Sequence, residues 1–156
     1  MDNSLKRVRS IADFQFGKDV GAKLFPKNVE IAYSKRTGRI RYVFLEGKRL
    51  ATLRPTDGLF SLSIAGAKRV AKNAVSAKCF VTVKNVVSKF IAEGGDVFAV
   101  HVINANKEVH SKDEVIVVDE RNEVLAVGKA VLSSEEMKTF KRGVAVKVRR
   151  GCLEES

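Results

Sequence analysis

Two histidines, two cysteines and eighteen carboxylates are the side chains in this 156-residue chain with acid, base or nucleophilic chemistry to offer. His101 lies inside the run DVFAVHV and His110 beside a turn, and neither has a serine or cysteine placed to build a nucleophile–base pair. Cys79 sits in an apolar run as a small buried hydrophobe, and its spacing from Cys152 fits neither a zinc site nor a disulfide framework. The pairs Asp113/Glu114, Asp119/Glu120 and Glu135/Glu136 fall at turns and caps, where carboxylates serve backbone amides and solvent. GKDVG and EGGD lack the glycine spacing and the strand–loop–helix setting of a phosphate-cradling loop. The expectation is a non-enzyme, with no catalytic residue, no metal ligand and no cofactor.

Charge is the stronger signal. The net charge is +11, and residues 1–77 carry +10 of it, with 16 Lys/Arg against 6 Asp/Glu. Residues 78–156 carry 13 against 12, a net of +1. Such a field suits a polyanionic partner. The segment KRTGRIRY places Lys35, Arg36, Arg39 and Arg41 at a hairpin tip beside Tyr42. From a tip, guanidinium groups reach phosphates that a flat face does not, and pair them bidentately. Arg7, Arg9, Arg49, Arg54 and Arg69 add to the same half.

The segment KRGVAVKVRRG reads two ways. Val144, Val146 and Val148 alternate as a half-buried strand, which turns Lys147 and Arg149 outward. An outward cationic row either protects a strand edge or grips phosphate. On either reading, replacing Lys147 and Arg149 with alanine should shift stability by no more than about 0.5 kcal/mol.

These residues need elements to hold them. Ser4 caps a helix whose Leu5, Val8, Ile11 and Ala12 share one face, with Lys6, Arg7 and Arg9 outward. FGKDVGAKLFP gives a short helix stopped before Pro26. The period then becomes two, and residues 29–34, 40–46 and 47–54 read as three antiparallel strands. LFSLSIAGAKRVA follows a turn at 54–58 and is helical over its second half. Residues 1–75 thus form an α+β domain, an antiparallel sheet with helices. Residues 76–151 hold several short strands (KCFVTVK, DVFAVHV, DEVIVVD, EVLAVGKAVL and GVAVKVRR). A helix over 85–95, capped by Asn85 and ended by Gly94 and Gly95, interrupts them, as does a short one around EEMKTF begun by Ser133 and Ser134. That pattern is a mostly-β, partly closed barrel, with 152–156 as a tail. No apolar run spans a bilayer and no leader precedes the first helix, so a cytoplasmic protein with no membrane partner is expected.

The second half resembles the PUA domain, a small pseudo-barrel of RNA-modifying enzymes and some translation factors. The helix ending in EGGDVF, the hairpin KDEVIVVDERNEVLAVGKA and the terminal FKRGVAVKVRRG carry this resemblance. LKRVRSIADFQFGKDVGAKLFP, YSKRTGRIRYVF and LATLRPTDGLFSLSIAGAKRV resemble the domain just before PUA in archaeosine tRNA-guanine transglycosylases. In that family the chemistry belongs to a preceding (β/α) barrel, which needs about 250 residues. The resemblance therefore implies a tRNA-binding protein that holds the acceptor stem and CCA end, as an accessory or detached subunit of a separate catalytic transglycosylase chain. A translation- or ribosome-associated factor binding rRNA or initiator tRNA has the same layout. It further implies an RNA surface made by the glycine loop and the last strand. Gly94 and Gly95 would admit the RNA backbone. Val97 and Phe98 would form an apolar floor, although both also suit an ordinary core. Lys84, Lys89, Lys141, Arg142, Lys147, Arg149 and Arg150 would hold phosphates, as would Arg36, Arg39 and Arg41 on the hairpin.

Overall fold

Helix α1 (Asn3–Phe16) buries Val8, Ala12 and Phe16, positions four apart that fall on one stripe. The computed structural model describes residues 3–154, which fall into two units, Met1–Ala77 and Lys78–Ser156. In the first, α1 packs with α2 (Val20–Leu24) and α2 with α3 (Ile64–Asn73). An antiparallel meander of β1 (Glu30–Tyr33), β2 (Ile40–Leu45), β3 (Lys48–Leu53) and β4 (Phe60–Leu62) completes the unit in that order. Phe25 and Phe60 meet edge to face at 5.3 Å in the core between them.

The meander has four strands rather than the expected three. FSL is too short to display a period, and its end is fixed by Ser63 instead. The Ser63 hydroxyl accepts the Gly66 amide at 3.0 Å and donates to the Arg49 carbonyl at 2.5 Å, so one residue ends the strand and starts α3. A Cβ on Gly66 would lie 2.1 Å from the Leu50 carbonyl oxygen, so α3 docks backbone to backbone on β3. Ser4 lies within α1 rather than ahead of it, and its hydroxyl is 2.6 Å from that of Tyr33. Arg9 turns inward rather than outward. It donates from Nε to the Phe25 carbonyl at 2.9 Å, while Arg69 donates to those of Leu24 (3.1 Å) and Lys23 (2.9 Å). Two guanidinium groups thus satisfy the carbonyl end of α2.

The second unit is a six-stranded sheet in the order β6-β10-β9-β8-β5-β7. Its strands are β5 (Phe80–Val83), β6 (Val97–Phe98), β7 (Val102–Ala105), β8 (Glu114–Val118), β9 (Val124–Ala130) and β10 (Val144–Gly151). All neighbours are antiparallel except β5 and β8. The run DVFAVHV is not one strand: Ala99–His101 form a single 3-10 turn between β6 and β7, the two outermost strands. A link that short draws the outer strands together, and the sheet closes into a nearly complete, mostly-β pseudo-barrel.

The expected helix over 85–95 is a 3-10 turn at Asn85–Val87 followed by α4 (Ser88–Ala92). Asn85 does not cap it. Asn85 donates its amide to the Glu120 carboxylate at 2.8 Å and accepts the Glu120 amide at 3.0 Å, tying the turn to the β8–β9 loop. Helix α5 (Ser134–Thr139) begins as expected, with Ser133 and Glu136 exchanging bonds in a capping box. Residues 152–154 are hydrogen-bonded into this unit, Cys152 to the Leu125 carbonyl at 2.7 Å and Leu153 to that of Ala92 at 2.9 Å. Residues 155–156 of the expected tail lie outside the described residues. Among the described residues no helix is long and apolar enough to cross a membrane.

Arg149 departs from the expected outward row. Glu114 on β8 has a side chain with no exposure, and Arg149 binds it bidentately at 2.9 and 2.5 Å. A bulge between Val148 and Arg150 gives β10 the extra residue that turns Arg149 toward it. Removing one partner of a buried pair strands the other charge. Arg149→Ala should therefore lower the unfolding free energy by about 3 kcal/mol in a denaturant titration. Lys147→Ala should change it by no more than about 0.5 kcal/mol, which restricts the neutrality expected for the pair to Lys147.

Cys79 is fully buried, and burial pushes its thiol well up, helped by the charges of Glu114 and Asp113. The folded chain keeps that proton, and above a pH of about 8.5 the unfolded chain loses it. This thiol's contribution to stability is thus complete below that pH and declines above it. Under native conditions an alkylating reagent at pH 8 should label Cys152 and leave Cys79 unmodified, as read by mass spectrometry.

Candidate nucleic-acid interface

The β1–β2 turn is built from its own hydrogen bonds. Ser34 donates its amide to the Arg39 carbonyl at 2.7 Å, and Gly38, at φ +73°, donates to the Ser34 carbonyl at 2.8 Å. The Ser34 and Thr37 hydroxyls accept the amides of Thr37 and Arg39. These four bonds close the loop, and Lys35, Arg36 and Arg39 are exposed to solvent with Arg41 half-buried behind them.

An open groove of about 1420 Å³ runs along this hairpin and the first turns of α1. Its charged lining is Arg7, Lys35, Arg36, Arg39, Arg41 and Arg54, and among the described residues no carboxylate lines it. Arg54 is paired with Asp57 at 3.0 Å. Concentrating like charge in a concavity with low-dielectric walls focuses the field on whatever enters. Aromatic surface accompanies the charge: Tyr42 and Phe44 lie 6.0 Å apart, and the Arg41 guanidinium is 5.7 Å from the Tyr42 ring. Cations next to ring faces suit a ligand made of phosphates and bases. Sequence reasoning placed Arg36, Arg39 and Arg41 together correctly. It gave no sign that Arg7, on a helix some thirty residues earlier, lines the same groove.

In the second unit the glycine loop and the last strand are direct neighbours. Phe98 pairs with Val144 and Val97 with Val146, and the Asp96 carboxylate accepts the Val148 amide at 2.9 Å. Val97 is wholly buried in the core, which corrects its expected place on an apolar floor; Phe98 keeps 40% of its surface exposed. Gly94 has the left-handed backbone, φ +105°. Gly95 does not; a Cβ there would stand 2.3 Å from the exposed Phe90 ring, which would have to swing aside. Lys84, Lys89, Lys141, Arg142, Lys147 and Arg150 are exposed, whereas Arg149 belongs to the Glu114 pair.

Lys129 was not singled out from the sequence. The register sets it between Lys147 on β10 and Glu114 on β8, the three on one face of the sheet. Like charges facing across a sheet are unfavourable and opposite charges favourable, so Glu114 offsets part of the cost of the lysine pair. The sequence offers only a lone lysine in the run VLAVGKA; its partner is known only once the register is. Among the described residues no three His, Cys, Asp or Glu side chains gather to hold a metal ion.

Comparison with known proteins assigns both units. Residues 6–76 match the patch-forming domain C2 of tRNA-guanine transglycosylase, and residues 80–152 match the PUA domain. The tRNA-guanine(15) transglycosylase of Pyrococcus abyssi is 43% identical over 150 residues, and that of Methanobrevibacter smithii 40% over 150, each alignment covering 96% of this chain. The chain spans about a quarter of the length of these relatives, 25% and 23%, within their C-terminal region. In structure it is similar to a hypothetical protein of Pyrococcus horikoshii OT3, with a TM-score of 0.77 and 23% identity over 98% of this chain and 92% of that one. It is also similar to a conserved PUA domain protein from Thermoplasma acidophilum, with a TM-score of 0.69 and 17% identity over 98% and 91%. These two likenesses carry the fold. The PUA match and the sequence relatives together support RNA binding. The chain thus belongs with the C-terminal region of the archaeal tRNA-guanine(15) transglycosylases, a patch-forming C2 domain followed by a PUA domain.

Proposed function

We propose that this chain is a non-catalytic tRNA-binding protein, an accessory or detached subunit that works in the cytoplasm beside a separate catalytic transglycosylase chain. The observation that carries the reading is the groove of the first unit, six cations with no carboxylate among the described lining. Arg36, Arg39 and Arg41 bind phosphates there, and Arg7 extends the track along α1. Tyr42 and Phe44 offer ring faces to unpaired bases. The second unit, close to neutral, gives a local grip on the acceptor stem and CCA end. In it Phe98 meets a terminal base while Lys141, Arg142, Lys147 and Lys129 hold phosphates. Lys84, Lys89 and Arg150 border that surface. The relatives are named for base exchange in tRNA, and the matched region is their PUA-containing C-terminal quarter, which supports a binding role rather than the chemical one.

Salt dependence tests the groove. Log affinity for tRNA should fall by roughly 0.7 to 0.9 per phosphate neutralised for each decade of salt. Replacing Arg39 and Arg41 with alanine should flatten that slope by about one to two units, and an unchanged slope with an intact fold would remove the hairpin from the interface. Arg142→Ala with Lys147→Ala should abolish the preference for tRNA bearing an intact CCA end over tRNA trimmed of it. The purified chain alone should show no guanine exchange into tRNA, and added catalytic chain should restore it; exchange at enzyme-like rates by the lone chain would overturn the accessory role.

A further inference from the structure

We propose that the Glu154 carboxylate is a resident competitor for an RNA phosphate at the open edge of β10, and that RNA displaces it on binding. The inference rests on reading the second unit as an RNA-gripping surface and adds how that surface is regulated.

Strand β6 is two residues long and pairs only with Val144–Val146, whereas β10 continues to Gly151. Beyond Val146 the amides on that edge need acceptors from outside the ladder. Two carboxylates provide them. Asp96 accepts the Val148 amide at 2.9 Å, and Glu154 Oε1 accepts the Gly151 amide at 2.6 Å. An anion receiving a main-chain amide is the contact a phosphate oxygen makes with protein.

The two carboxylates differ in how they are held. Asp96 directly precedes β6 and is half-buried, fixed by the strand it adjoins. Glu154 is exposed, on a turn closed by its own amide donating to the Gly151 carbonyl at 3.1 Å. Its carboxylate lies across the open face of Gly94. A Cβ on Gly94 would stand 2.9 Å from Cδ and Oε1 and 3.0 Å from Oε2. A Cβ on Gly151 would stand 2.2 Å from the Ala92 carbonyl oxygen and 2.7 Å from the Gly94 nitrogen. The absent Cβ of Gly94 leaves the place the Glu154 carboxylate takes, and the absent Cβ of Gly151 lets β10 close on the backbone of Ala92 and Gly94, with the Gly151 amide as the donor.

Carboxylate and phosphodiester each present a pair of anionic oxygens. When phosphate takes the seat, the Gly151 amide exchanges one charged acceptor for another and is never left unsatisfied. Glu154 moves to water, its outlet already open. The exchange is near neutral in hydrogen bonds, so what Glu154 contributes is repulsion. It weakens every polyanion at this edge and leaves binding only to RNA that also reaches the neighbouring cations.

The test uses the full chain with tRNA bearing an intact CCA end at low salt. Glu154→Ala and Glu154→Gln should each bind roughly five- to tenfold more tightly than the parent chain, the glutamine variant retaining an acceptor for the Gly151 amide should the alanine variant lose stability. In the parent chain the Gly151 amide resonance should shift as RNA saturates the protein. Arg142→Ala with Lys147→Ala serves as the reference for RNA binding by this unit. If that variant weakens binding while both Glu154 variants bind equally or less tightly, or the Gly151 amide does not move, the competitor is overturned and the RNA surface stands. If no variant in this unit changes tRNA affinity, the RNA surface falls, and the competitor with it.

Discussion

Three residues, Ala99–His101, join the two outermost strands of the six-stranded sheet, and much of the second unit follows from that short link. Strands β6 and β7 are neighbours in sequence but lie at opposite ends of the ladder, so a flat sheet would tear them apart. The sheet has to curl, and curling creates one enclosed core lined by Val81, Val83, Val115, Val117 and Val146. Closure also limits β6 to two residues, because the chain must leave β10 to reach the turn. The part of β10 that runs on past β6, still paired with β9, is a by-product of that geometry. So is the inward Glu114, whose position beneath the bulge of β10 makes a guanidinium partner obligatory.

The first unit sorts its arginines by the same need to satisfy polar groups. Arg9 and Arg69 are spent on the carbonyl end of α2, and Arg49 donates to the Thr52 hydroxyl at 2.7 Å. The set around the β1–β2 turn is different, because that loop is closed by its own backbone bonds and by the Ser34 and Thr37 hydroxyls. Net charge is thus a poor measure of the binding surface. Geometry divides the cations into those that complete the fold and those that face outward.

The strong periodicities in the sequence translated directly into structure. The apolar stripe of α1, the positions of β2 and β3, the start of α5 at Ser133 and the hairpin arginines are all local patterns, and the structure has them in those segments. The readings that changed depend on partners distant in sequence. Arg9 looked outward because the Phe25 carbonyl that holds it is sixteen residues away. Asn85 looked like a cap because its partner Glu120 is thirty-five residues away. Arg149 followed the alternation of its strand until a bulge, which no local pattern announces, brought it to Glu114. Strand β4 has three residues, fewer than two full alternations. The family resemblance was legible because it lies in ordered motifs along the chain rather than in any single contact.

Repulsion acts among the cations of the groove, which has no carboxylate among its described lining, and between Lys129 and Lys147, where Glu114 opposite Lys129 offsets part of it. Mobile ions relieve it, since at about 0.15 M salt the screening length is roughly 8 Å, comparable to the separation between neighbouring side chains. Ionic strength therefore acts in opposite directions on the two states of the molecule. It tightens the free fold by quieting its own cations, and on the proposed reading it would loosen a complex with RNA by competing for those cations. A buffer chosen to keep the purified protein comfortable would thus be one that hides an RNA ligand.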